Sequence, residues 1–259
     1  MIAAAAWKAV SQQKDLPLFF KADWSRQSLV YLSNEPDRWK GPSEPSLKAG
    51  EDPEHFFDIE PILDSEIPVN RYLAMELYRS RAIKPEEIGF LPYAIIETFQ
   101  KARAAFRQLR KQGKRPAHHI ERVVIHHSGV LAHYVGDAAQ PLHVTMHHHG
   151  WVGDNPMGFA TDRSIHRKFE DEFVRLNIKG DEVSKMAGSS ANLPDPFQSV
   201  VRHLRASHAL VPDLYELERK GAFASAAPEG RTFVLERLKA GAQMLADLWY
   251  SAWVQSANP

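Results

Sequence analysis

His133, Asp137 and His143 fall within eleven residues in HYVGDAAQPLH (133–143), and a second pair, His166 and Glu170, follows in IHRKFE (165–170). Imidazole nitrogen and carboxylate oxygen are the donors that hold zinc and related divalent cations. On a helix, His133 and Asp137 stand at i and i+4, so their side chains stack on one face and can grip one ion. Pro141 ends that helix, and the turn after it brings His143 back toward the same face. His166 and Glu170 repeat the i, i+4 spacing on a second helix. Two helices that each offer a histidine and a carboxylate, with a third histidine on the turn between them, suit a multinuclear zinc site. Asp137 is the bridging candidate, because a carboxylate spans two metals more readily than an imidazole does.

A single His-x-x-x-Asp pair is more often a hydrogen-bonded surface pair than a ligand set. Here the helix around it is apolar, and an unpaired Asp137 would be costly to bury; a metal removes that cost. The other histidines carry less. His126 lies seven residues before His133 on nearly the same face and can reach toward the site from below. His118, His119 and His127 read as solvent-facing or hydrogen-bonded. His147, His148 and His149 precede Gly150 in a loop and read as the rim of the site.

Helices must position these groups. RYLAMELYRSRAI (71–83) carries Leu73, Met75, Leu77 and Ile83 among charges and stops before Pro85. The next segment opens with Pro92 in a first-turn position, repeats Ile95, Ile96, Phe99, Ala102, Phe106 and Leu109 at helical spacing, and ends near Gly113. Residues 118–140 are apolar over much of the circumference, the pattern of a buried central helix. Residues 162–176 place Ile165, Phe169, Phe173 and Leu176 on one stripe, and the last segment, from 230 on, carries Phe233, Leu238, Met244, Leu248 and Trp249. Strand alternation is nearly absent, and proline-rich connectors fall at 41–61 and 192–196. The expectation is one all-α, multi-helix domain over 1–259.

The bulk numbers narrow the function. A chain of 259 residues with 44% hydrophobic and 25% charged residues can bury a full core. Lys plus Arg and Asp plus Glu are both 32, so no global basic field attracts phosphate backbones, and nucleic-acid contact needs local chemistry. With no cysteine, disulfides, thiolate metal sites and a cysteine nucleophile are excluded. No apolar run approaches the roughly 20 residues of a membrane span. The opening MIAAAAWKAV lacks a basic n-region and a full apolar h-region, so it is not a complete signal peptide.

At HYVGDAAQPLH and IHRKFE the sequence resembles the zinc-dependent phospholipase C / S1-P1 nuclease superfamily, and bacterial members of it in the tract GWVGDNPMGFATDRSIH between them. EPDRW (35–39), PEHFFDIE (53–60), IGFLPYAIIETF (88–99) and LKAGAQMLADLWYSAW (238–253) extend the similarity over most of the chain. The resemblance implies an all-α fold with a cluster of zinc ions in a cleft that hydrolyses phosphoric esters. It makes His133 and Asp137 ligands on the central helix, with Asp137 bridging, and His143, His166 and Glu170 the ligands of a further zinc. It makes Asp58 a metal-binding aspartate and general base, and it sets Asn155 near the substrate phosphate. It also implies export, to a secreted or periplasmic location.

The chain departs from that pattern in two places. The superfamily binds its third zinc through an amino-terminal tryptophan and a histidine shortly after it, whereas here no histidine precedes His55, and WKAVSQQ has none after Trp7. MIAAAAWKAV looks like the helix that follows those ligands, so the extreme amino-terminal ligand segment is expected to be missing and the zinc count to be two or three. No histidine stands between His55 and His118, where members carry another ligand; His126 is the substitute offered. The expected activity is zinc-assisted phosphoester hydrolysis, with Asp58 orienting or deprotonating the attacking water. A nuclease of single strands, with Trp151, Phe159 and Tyr134 as stacking or packing residues, is the first reading. A lipid phosphodiesterase, and a non-catalytic relative that keeps zinc for stability, are the alternatives. Neither stable membrane insertion nor an obligate protein partner is expected.

Overall fold

A computed structural model describes residues 1–258 apart from Lys114, Pro116, Ala187, Ser225 and Ala226. Every regular element among them is helical, and one isolated bridge, His148 to Gly150, is the nearest approach to a strand. The fold is all-α, as the periodicity requires. None of the helices among the described residues is long and apolar enough to cross a membrane.

The helices follow their punctuation. Leu91–Gln112 has Pro92 in its first turn and Gly113, at φ 63°, just past its end. Arg71–Ser80 is capped by Asn70, whose side chain accepts from the backbone N–H groups of Tyr72 and Leu73, both at 3.0 Å. It stops short of residue 83 because Ala82 takes φ 55°. His118–Ala139 and Pro228–Gln255 match the two longest expected segments. The stripe over 162–176 forms helix from 165 to 177, with a π-helical stretch at Lys168–Phe173. The proline-rich connector 41–61 is more ordered than a loop: it holds Pro45–Glu51 and the 3-10 turn Asp52–His55.

Leu91–Gln112 and His118–Ala139 form a hairpin at the centre of the larger core, around Phe99, Phe106, Leu131 and Val135. Pro228–Gln255 lies across both. Its second half adds Leu245, Leu248 and Trp249 to that core, while Val234 and Ala242 from its first half join a smaller cluster with Phe169, Phe173 and Tyr215. One helix thus ties the two clusters, and burial on two sides explains why its sequence shows no single apolar stripe.

Asp23–Leu32 crosses the central helix at Gly129, where a Cβ would sit 2.4 Å from the Leu32 Cβ. Gly129→Ala is therefore expected to push these helices apart and destabilise the fold by about 1–3 kcal/mol, read as a lower melting temperature. An unchanged melting temperature would show that the crossing is not close. The crossing matters to the site because the chain leaving Leu32 runs straight into Asp37.

Candidate metal centre

The central helix delivers His133 and Asp137 to its C-terminal end, facing the turn Pro141–His143. There the Asp137 carboxylate, buried with its residue 8% exposed, stands between two groups of donors. The first is Asp37, His55 and His133. His55 Nδ1 lies 2.9 Å from His133 Nε2 and 3.1 Å from Asp137 Oδ2, and Asp37 Oδ1 is 3.7 Å from His133 Nε2. The second is His143, His166 and Glu170. His166 Nε2 lies 2.8 Å from Glu170 Oε2 and 3.2 Å from His143 Nε2. Asp137 turns Oδ2 to the first group, while its Oδ1 lies 3.7 Å from His143 Nδ1, the nitrogen that faces away from the second group.

The nitrogens facing away from each group have partners of their own. His133 Nδ1 donates to the Ser33 carbonyl at 2.8 Å, and His143 Nδ1 to the His55 carbonyl at 2.7 Å. His55 Nε2 lies 3.6 Å from Glu51 Oε1, a buried carboxylate that also accepts from the Tyr134 hydroxyl. Such contacts fix which nitrogen points inward, as metal-binding histidines require. His55 Nε2 and His166 Nδ1 are the exceptions, each buried without a hydrogen-bond partner among the described residues. Gln140 closes the second group: its Nε2 donates to Glu170 Oε2 at 3.2 Å while its Oε1 accepts from the Leu142 N–H at 2.7 Å.

The electrostatics favour a cation here. Burial alone would keep His143 neutral, yet the Asp137 and Glu170 carboxylates push it up to about 10. Burial would raise Asp137 and Glu170, and the surrounding imidazoles more than offset it, so both lie below the usual carboxylate range. Burial likewise opposes a charge on His55, and Asp137 and Glu51 overcome it. Two groups of nitrogen and carboxylate donors, each with ligand atoms within 4.8 Å of one another and the first with Asp137 Oδ2 against it, fit a pair of zinc-like ions.

The structure brings His133, Asp137, His143, His166 and Glu170 together. It also brings in Asp37 and His55, which sequence reasoning missed. His126 does not fill the gap: it is exposed, stacks edge-on with His127, and lines a separate cavity with Glu54 and Arg71. A signal for His55 was present, since it lies three residues before Asp58 with two phenylalanines between.

Asp58 is in neither group. It is buried at the edge of the second, with Oδ2 3.8 Å from His148 Nδ1, and its Oδ1 accepts no hydrogen bond from a described residue. Burial, reinforced by the Glu60 charge and partly countered by His143, pushes its carboxyl up to about 7. That is the range a general base uses. Asn155 is turned away from this chemistry: it spends both ends of its amide on Phe159, donating to the carbonyl and accepting from the N–H, each at 2.8 Å.

The histidine loop forms the rim. The His149 ring centroid is 5.4 Å from that of His166, and His147 stacks flat on Trp151 at 3.9 Å. Gly150 permits this path, because at φ 99° a Cβ would meet the Thr161 carbonyl oxygen at 2.4 Å. Of the aromatics weighed as stacking residues, Tyr134 and Phe159 are buried and half-buried Trp151 already carries His147, so none offers two free faces. Compared with protein-family models, with curated proteins and with solved structures, the chain gives no match.

Proposed function

We propose that this chain is a zinc-dependent phosphoric ester hydrolase of the phospholipase C / S1-P1 nuclease type, acting as a phosphodiesterase on single-stranded nucleic acid. The observation that carries the reading is the pair of donor groups with the buried Asp137 carboxylate between them, at a cavity they help to line. Asp37, His55 and His133 would hold one ion, His143, His166 and Glu170 another, and Asp137 would touch both. Bound there, zinc supplies Lewis acidity, lowering the pKa of water toward neutrality and offsetting charge on phosphoryl oxygens.

The chain's own residues do the rest. Asp58, ionised, accepts the proton of the attacking water at Oδ2, the oxygen that faces His148. The Ser33 and His55 carbonyls keep two imidazoles, His133 and His143, turned inward, so neither needs to reorient when substrate arrives. A cavity of about 450 Å³ opens beside the second group, lined by His149, Arg163, His166 and Glu170. Arg163 makes no ion pair with a described residue, so its guanidinium is available to a phosphate backbone. That favours a polyanionic substrate. The lipid reading also has an observation behind it: Met146, Val152 and Met157 are exposed along the rim loop.

The test is elemental analysis of the purified chain beside hydrolysis of bis(p-nitrophenyl) phosphate. About two zinc ions per chain and turnover abolished by EDTA are expected. One tightly held zinc, or none, without turnover would replace the hydrolase reading with a structural metal site. Single-stranded DNA cleaved faster than phosphatidylcholine would support the nuclease over the lipid enzyme, and the reverse order would overturn that choice.

A further inference from the structure

A second cavity, of about 400 Å³, begins at Asp37, His133, Asp137 and Glu170 and reaches Arg237 on the C-terminal helix. Between them its wall is apolar, with Phe169, Val234 and Leu238 among the lining residues. Arg237 is half-buried, and its guanidinium makes no hydrogen bond and no ion pair with any described residue; its Nε is fully buried. Arg71, by contrast, is clasped by Glu54 and Glu97, and among the described residues Arg107 is the other arginine whose Nε is buried without a partner. Burying a guanidinium with no acceptor is costly.

The surroundings do not relieve that cost. His203, on Pro196–His208, is the charged-group neighbour, and its Nε2 is likewise buried without a partner. Burial and the Arg237 charge hold this imidazole neutral, down to about 4, so it brings no compensating anion. Burial also lowers Arg237 itself, and of the acids only Glu236, its neighbour on the helix, pulls the other way. An unpaired guanidinium thus lines the same cavity as four of the candidate metal donors.

We propose that Arg237 binds a second phosphate group of the substrate: a terminal phosphate on an oligonucleotide whose scissile diester lies at the metal centre, with the apolar wall taking the nucleoside between. The inference rests on the hydrolase reading for the scissile end, and on the unpaired guanidinium for the other. A planar guanidinium matches a phosphate with two parallel hydrogen bonds, which a lysine cannot reproduce.

Two measurements test it separately. In calorimetry of the zinc-loaded chain with inorganic phosphate, Arg237→Met is expected to weaken binding about tenfold, and Arg237→Lys to fall between. Arg237→Met should also melt at or above the wild-type temperature in phosphate-free buffer, since it removes an unpaired half-buried charge. Equal phosphate affinity in wild type and Arg237→Met overturns the anion site. In the second measurement, a thymidine dinucleotide carrying a 5′-phosphate is expected to show a KM about tenfold below that of the same dinucleotide without it. Arg237→Met should bring that ratio to about one. A ratio unchanged by the substitution overturns the assignment to substrate. If neither dinucleotide is cleaved, the hydrolase reading falls, while the phosphate affinities still decide Arg237.

Discussion

Asp137→Asn is expected to leave the fold standing and to remove most of the zinc together with nearly all of the activity. The substitution keeps the size and shape of the side chain but replaces one carboxylate oxygen with an amide NH₂. Asp137 Oδ2 lies 3.1 Å and 3.3 Å from the inward nitrogens of His55 and His133, and its Oδ1 3.7 Å from His143 Nδ1. An amide NH₂ cannot ligate a cation, and the neutral amide removes a negative charge from the centre whichever way it turns. Losing several kcal/mol of charge stabilisation in the transition state corresponds to a fall of about 10³-fold or more in kcat. Zinc content by elemental analysis and turnover of bis(p-nitrophenyl) phosphate are read on the same sample. Full zinc with wild-type turnover would remove Asp137 from the centre and, with it, the bridged arrangement.

Asp58→Asn is expected to behave differently: zinc retained, kcat lowered by about 10²- to 10⁴-fold, and the acidic limb of the pH profile lost. The reason is position. Asp58 stands outside both groups, with Oδ2 facing His148. Burial, with Glu60 beside it, pushes its carboxyl up to about 7. Below that value the group carries its proton and cannot accept one, so the wild-type rate should fall as the pH drops. A bound cation nearby pulls the carboxyl down again, which sets the limb at or below pH 7. Asparagine has no such titration, so the variant's residual rate should be flat there. Zinc lost along with activity would make Asp58 a ligand, the other role its sequence context implies, and would end its assignment as the base.

How much of this was legible in advance differs by element. The long helices were, because each carries its own apolar period and its own stop: Pro92 and Gly113 bracket one, and the run from Val124 to Ala139 marks another as central. Pro196–His208 was readable in principle, from the Asp195 cap, Pro196 and the spacing of Val200, Val201 and Leu204, yet its arginines and histidines dilute the stripe. Within the site, His133 with Asp137 and His166 with Glu170 were legible because a single helix turn sets each pair; the π-helical stretch around Glu170 leaves its contact with His166 at 2.8 Å. Asn155 misled for a local reason: an asparagine in a glycine-rich loop serves the turn as readily as a ligand, and here it closes the turn on Phe159.

The sequence by itself determined the all-α class and the central helix and marked five candidate donors, all through interactions spanning four residues or ending at a nearby proline. Only the tertiary structure decided that Asp37 and His55 stand beside them. His55 meets Asp137 across 82 positions of chain, and no periodicity reports such a contact. It is made by the 3-10 turn Asp52–His55 docking on the Pro141–His143 turn, where His143 Nδ1 donates to the His55 carbonyl and the Phe57 N–H donates to the His143 carbonyl at 2.8 Å. Those two hydrogen bonds join backbone that the sequence marks only as a proline-rich connector. Local geometry thus wrote half of the site into adjacent residues, and the rest depends on which distant backbone groups satisfy one another when the helices close.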